Sequence, residues 1–104
     1  MAASVDQPIV ALLGDLKSRG LFEDTQLIWT AEFGRTLFAQ DGDGRDHNGG
    51  TFVAWMAGAG VKPGAFYAQS DDWGYQAIKN RTYCYDFHAI VLHLPGIDRT
   101  CLTF

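Results

Sequence analysis

The strongest constraint in this chain is a polar, glycine-rich stretch between two short apolar runs. Residues 32–51 read EFGRTLFAQDGDGRDHNGGT, flanked by TQLIWTA (25–31) and TFVAWMA (51–57). A connection longer than about 12–15 residues is unusual in a compact domain and is often functional. Both apolar runs are β-branched and aromatic, with apolar residues on both faces. That pattern predicts buried strands in a sheet covered on both sides. Helices bracket them. Ile9, Leu12, Leu13 and Leu16 form one apolar stripe at i, i+3, i+4 and i+7. Asp6 or Gln7 can cap that helix, Pro8 suits its first turn and Gly20 its stop. A second helix is predicted over 86–94, with Asp86 as N-cap, the stripe Phe87, Ile90, Val91 and Leu94, and Pro95-Gly96 ending it. Between them, Gly58-Ala59-Gly60 and Lys62-Pro63-Gly64 mark turns, and the aromatic residues 65–85 predict a short strand or hairpin. The order predicts an α/β fold: a small, mostly parallel sheet with flanking helices.

Length and composition narrow the class. At 104 residues the chain is one domain in size, read here as a single partial α/β domain over 1–104. With 47% hydrophobic and 19% charged residues, it is not a disordered tail. A net charge of −4, with eight scattered Lys and Arg, argues against nucleic acid as a partner. No apolar run approaches the ~20 residues of a membrane span. The start, MAASVDQP, has neither the basic nor the apolar region of an export signal, so the compartment is unassigned. The end at Phe104, without a polar tail, is expected of a piece cut from a longer chain. Cys84 and Cys101 are expected to be free thiols, and the sequon Asn80-Arg81-Thr82 carries no weight on its own.

The long loop holds most of the polar chemistry. Glu32 directly follows the first apolar run, and Asp46-His47 precede the second. If the strands run parallel, Glu32 lies at a carboxyl end, where open α/β sheets place their ligands. Carboxylate and imidazole are the donor set of zinc and similar ions; the alternative is a solvated polar loop with a capping acid. Arg35 and Arg45 can bind an oxyanion, because guanidinium matches phosphate and sulfate geometry, or make ordinary loop salt bridges. Other motifs fail. Asp41-Gly42-Asp43-Gly44 resembles a calcium loop, but Arg45, Asp46 and Phe52 stand where an oxygen donor, the glycine and the closing Glu belong. Gly58-Ala59-Gly60 follows a strand, yet Pro63 replaces the third glycine of a dinucleotide fingerprint. His88 and His93 point roughly 140° apart on one helix and cannot share an ion. Ser4, Ser18 and Ser70 lack any nucleophile-elbow context.

Three segments carry a resemblance: Thr30-Ala31-Glu32-Phe33-Gly34-Arg35-Thr36, Gly44-Arg45-Asp46-His47-Asn48, and Tyr85-Asp86-Phe87-His88-Ala89-Ile90 before Leu94-Pro95-Gly96-Ile97. Together they resemble the C-terminal third of DUF1501 proteins, sulfatase-like relatives within the alkaline phosphatase superfamily. That resemblance covers nearly the whole chain. It implies the C-terminal part of an alkaline-phosphatase-like fold and a segment of a metal-dependent sulfuric or phosphoric ester hydrolase. In such proteins a strand ends in a metal-binding Asp-His pair, matched here by Glu32-Phe33, and a later His-x-Gly supplies another ligand, matched by His47-Asn48-Gly49. It implies Glu32 and His47 as ligands of a divalent metal (zinc or calcium) in the complete protein, with Asp46 beside them. Arg35 would neutralise the ester oxyanion. Phe33 departs from the pattern, since phenyl cannot bind metal. The nucleophile and other acidic ligands belong upstream in the family, so this chain alone is expected to be inactive. The resemblance is compatible with an exported parent, since such relatives often carry export signals upstream, and the compartment stays unassigned. An exposed sheet edge predicts a homo-oligomer. The rival readings are a non-catalytic structural or interaction module that keeps the fold without the metal site, and a small self-associating protein unrelated to hydrolases.

Overall fold

The computed structural model describes residues 2–39, 42 and 44–103. Asp41 and Asp43, part of the calcium-loop comparison, lie outside the described residues. The described residues form two helices and three two-stranded ladders: α1 (Ala2–Ser18), β1 (Gln26–Thr30), β2 (Gly34–Arg35), β3 (His47–Asn48), β4 (Ala54–Gly58), β5 (Gln69–Ser70), β6 (Ala77–Lys79) and α2 (Cys84–His93), with 3₁₀ turns at Phe22–Asp24 and Arg99–Cys101. It is a mixed α/β chain.

Helix α1 forms where the stripe places it but starts earlier than the cap signals suggest. Pro8 lies inside the helix rather than in its first turn. A proline there removes one backbone donor, and the helix-forming residues ahead of it extend the helix regardless. Gly20 ends it at φ +69, a conformation that favours glycine, and Leu21 N–H closes the turn on the Leu16 carbonyl at 2.9 Å. Helix α2 likewise begins at Cys84, not Asp86. Asp86 instead reaches back from the first turn, its carboxylate accepting the Tyr83 N–H at 3.0 Å. That is the carboxylate half of a capping box.

The strands exist where predicted, but the mostly parallel sheet does not. Strands β1 and β4 pair antiparallel, with Gln26 opposite Gly58, Trp29 opposite Trp55 and Thr30 opposite Ala54. The other ladders, β2–β3 and β5–β6, are antiparallel too. The reason lies in the long loop, which contains the β2–β3 hairpin and so reverses the chain. Among the described residues no helix lies between β1 and β4, and a parallel pair needs a crossover, usually helical. Gly58 sits at φ +83, where a Cβ would run into the Thr25 and Phe22 carbonyls.

Cover is sparse. Among the described residues no apolar side chain is fully buried. The stripe residues Ile9, Leu13, Leu16, Phe87, Val91 and Leu94 are half-buried, and Leu12 and Ile90 are exposed. The accessible surface is 8513 Å², against roughly 5,800 Å² for a closed monomer of this mass. The radius of gyration is 16.3 Å, against about 13 Å for a compact domain of this length. The elements expected to sandwich a sheet therefore leave much of their apolar surface uncovered.

Candidate functional site

The two motifs of the polar stretch meet as one strand pair. Gly34 lies opposite Asn48 and Arg35 opposite His47 in the β2–β3 ladder. Opposed residues of an antiparallel pair project to the same face, so Arg35 and His47 stand side by side. Gly34 is required there, because a Cβ would strike the Thr51 carbonyl.

Phe33 joins them. Its ring lies on the His47 imidazole with centroids 4.1 Å apart, and the Arg35 guanidinium carbon is 5.3 Å from its centroid. A cation at that distance from a ring is attracted by the ring's quadrupole. Phe33 thus holds the imidazole and guanidinium on one exposed face.

The opposite side of the hairpin is a polar knot. Thr36 and Asn48 are the only buried residues described, 5% and 6% exposed. The Thr36 N–H donates to the Asp46 carbonyl at 3.0 Å, and its hydroxyl donates to the Phe38 carbonyl. The Asn48 amide donates to the Tyr75 carbonyl at 2.8 Å and accepts from the Gly50 N–H at 2.9 Å. The Ala77 N–H then donates to the Gly50 carbonyl at 3.0 Å. Buried polar groups satisfied in this way fix one geometry. The next turn is pinned by Asp71, whose carboxylate accepts the Tyr75 N–H at 2.7 Å and the Gln76 N–H at 3.2 Å.

The expected site residues are distributed as follows. Arg35 and His47 are brought together. Asp46 is half-buried, its backbone bonded to Thr36 and Phe38. Glu32 lies exposed in the bend before β2, one residue from Phe33. Among the described residues no ion pair involves either carboxylate, and no three His, Cys, Asp or Glu side chains gather closely enough to hold a metal ion. A carboxylate and an imidazole suit zinc chemically, but a closed zinc site takes four ligands. Residues of these types can supply at most part of such a site, and the described residues do not form a complete one. Arg45 is exposed, as are the free thiols of Cys84 and Cys101.

Sequence reasoning missed Asn48 and Asp71 as organisers. Asp71-Asp72-Trp73-Gly74 carried a turn signal, an Asx residue with glycine three positions on, and Gly74 does adopt φ +64. Nothing in the sequence marked Asn48 as the residue that would clasp that turn.

A family model described as "Protein of unknown function (DUF1501)" matches residues 1–104. No curated protein and no solved structure matches the chain.

Proposed function

The chain belongs to the DUF1501 family, and we propose that it is the C-terminal segment of a sulfatase- or phosphatase-like, metal-dependent ester hydrolase with an alkaline-phosphatase-like fold. The observation that carries this reading is the Arg35–His47 cross-strand pair. It sets a permanent cation and an imidazole on one exposed face, and an arginine fork can hold a sulfate or phosphate oxyanion bidentately. Arg35 is the residue that neutralises the ester oxyanion, and Phe33 positions it. Glu32, His47 and Asp46 are this segment's contribution to a divalent metal, zinc or calcium, whose other ligands lie upstream. The metal would supply Lewis-acid polarisation of the ester. The nucleophile is upstream as well, so the isolated chain turns over nothing.

Inorganic sulfate and phosphate titrations of the chain, followed by NMR, test the anion role. Saturable shifts at Arg35 and His47 that vanish in Arg35→Ala are expected; shifts that survive this substitution sink it. Zinc binding tests the metal role by comparing wild type with Glu32→Ala and His47→Ala. Equal uptake by all three favours the rival reading, a structural or interaction module without a metal site. The Phe33 ring lying on His47 is the observation behind that rival. Surface left open on the chain supports a further part of the proposal, association with a second copy.

A further inference from the structure

Beside the polar knot, Leu37, Phe38, Asp71, Trp73 and Tyr75 line a hollow of about 390 Å³, which falls in the range of small-ligand sites. We propose that this hollow is a binding site for an alkylated ammonium group.

The walls are pre-formed. Leu37 and Phe38 follow directly on buried Thr36, whose hydroxyl donates to the Phe38 carbonyl. Across the hollow, Trp73 and Tyr75 sit on the turn closed by Gly74 N–H to the Asp71 carbonyl at 3.0 Å and Asp71 N–H to the Gln76 carbonyl at 2.9 Å. Asn48 clasps that turn through the Tyr75 carbonyl. Each wall is thus anchored to one of the two buried polar residues, so little ordering is left for a ligand to impose.

The chemistry selects the ligand class. Three of the five lining residues are aromatic, and Trp73 is 72% exposed. Among the described residues these three rings do not stack on one another. Among the described residues, Asp71 is the one charged residue that lines the hollow, and no Lys or Arg does. An anion would meet repulsion there. A sugar or nucleobase would need several hydrogen-bonding partners, whereas each Asp71 oxygen already accepts a backbone N–H. What remains on offer is one acidic residue and three aromatic side chains. An alkylated ammonium has a positive charge, an apolar skin and no hydrogen bonds to satisfy, and aromatic cages recognise it through cation–π attraction. The group could be carried by a free choline-like molecule or by a methylated lysine.

The test is an NMR titration of the chain with choline, with a trimethyllysine peptide and with 3,3-dimethylbutanol, the uncharged shape-mimic of choline. Saturable shifts at Trp73 and Tyr75 are expected with the two cations, and the tighter of them identifies the source. The uncharged mimic should bind roughly 10-fold more weakly, and Trp73→Ala should weaken the cations by a similar factor. Phe38→Leu is the second variant, and the Asn48 side-chain amide signal reports that either variant keeps its fold. Equal binding of choline and its mimic overturns the proposal, as do unsaturable shifts or a Trp73→Ala chain that binds as tightly as wild type. If a second copy fills the hollow instead, Trp73→Ala lowers the sedimentation mass and choline leaves Trp73 unmoved, which also overturns it.

Discussion

Strand pairs β1–β4 and β2–β3 are adjacent along the chain yet are held by opposite means. The β1–β4 ladder runs over five residues, with Trp29 facing Trp55 and Ile28 facing Met56. Its apolar side chains are at best half-buried, and Trp29 is exposed. The β2–β3 ladder is only two residues long, yet of the two buried residues described it carries Asn48, and Thr36 directly follows β2; both are polar. Ladder length sets register, but it does not cover a side chain. Fully burying a large apolar residue contributes about 1.5–3 kcal/mol, and part of that gain is still unrealised around β1–β4. The polar hairpin needs no such cover, because its buried side chains find backbone partners.

The largest expected effects come from the glycine in each pair that tolerates no side chain. Gly58→Ala forces a Cβ toward the Thr25 carbonyl at a positive φ, and Gly34→Ala forces one into the Thr51 carbonyl. Each should cost roughly 3 kcal/mol or more. Urea unfolding followed by circular dichroism measures this. A loss near zero for Gly34→Ala would mean that the hairpin is looser than described.

A sharper contrast comes next. Asn48→Ala leaves the Tyr75 carbonyl and Gly50 N–H without their partner and should cost about 2 kcal/mol. Leu27→Ala, on half-covered β1, should cost about 1 kcal/mol or less, against 2–5 kcal/mol in a closed core. If Leu27→Ala proves the more damaging, the apolar strands are covered in solution and the contrast fails.

Much of this contrast was legible in the residues, and some was not. The 3.6-residue stripes around Leu13 and Val91 found both helices, because periodicity depends only on the local sequence. The start of α1 was missed by four or five residues and that of α2 by two, since Asp6, Gln7 and Asp86 are good caps in isolation but the chain is already helical ahead of them. The apolar runs were found as strands. Their direction was not, because apolar residues on both faces suggest a parallel sheet, while direction is set by a hairpin whose strands, Gly34–Arg35 and His47–Asn48, are too short to show a period. The resemblance put Glu32, Asp46, His47 and Arg35 in one site, but the cross-strand pairing of Arg35 with His47 was not read from it. The part played by Asn48 was not, because it depends on a turn more than twenty residues away.

Open apolar surface around β1–β4 predicts association. Sedimentation should give a mass of at least two 11.5 kDa chains, with dilution exposing Trp29 and Trp55 to solvent and changing their fluorescence. A lone chain at all concentrations would show that half-burial suffices for this strand pair, and the comparison would then rest on the polar hairpin alone.

The smallest effect repeats the polar mode of closure at the far end of the chain. Asp98 caps the Arg99–Cys101 turn, and its carboxyl is held below the usual range, first by the Thr100 hydroxyl at 2.7 Å, then by the Thr100 N–H at 2.9 Å and the Cys101 thiol. A lowered folded-state pKa means that the cap's contribution is present above the ordinary carboxylate range and is lost as pH falls through the folded value. Carbon-detected NMR titration should find Asp98 titrating below the ordinary carboxylate range. Thr100→Val removes the hydroxyl donor and keeps the N–H, so the Asp98 midpoint should rise part of the way back. A midpoint that stays put would assign the cap to the backbone donor alone.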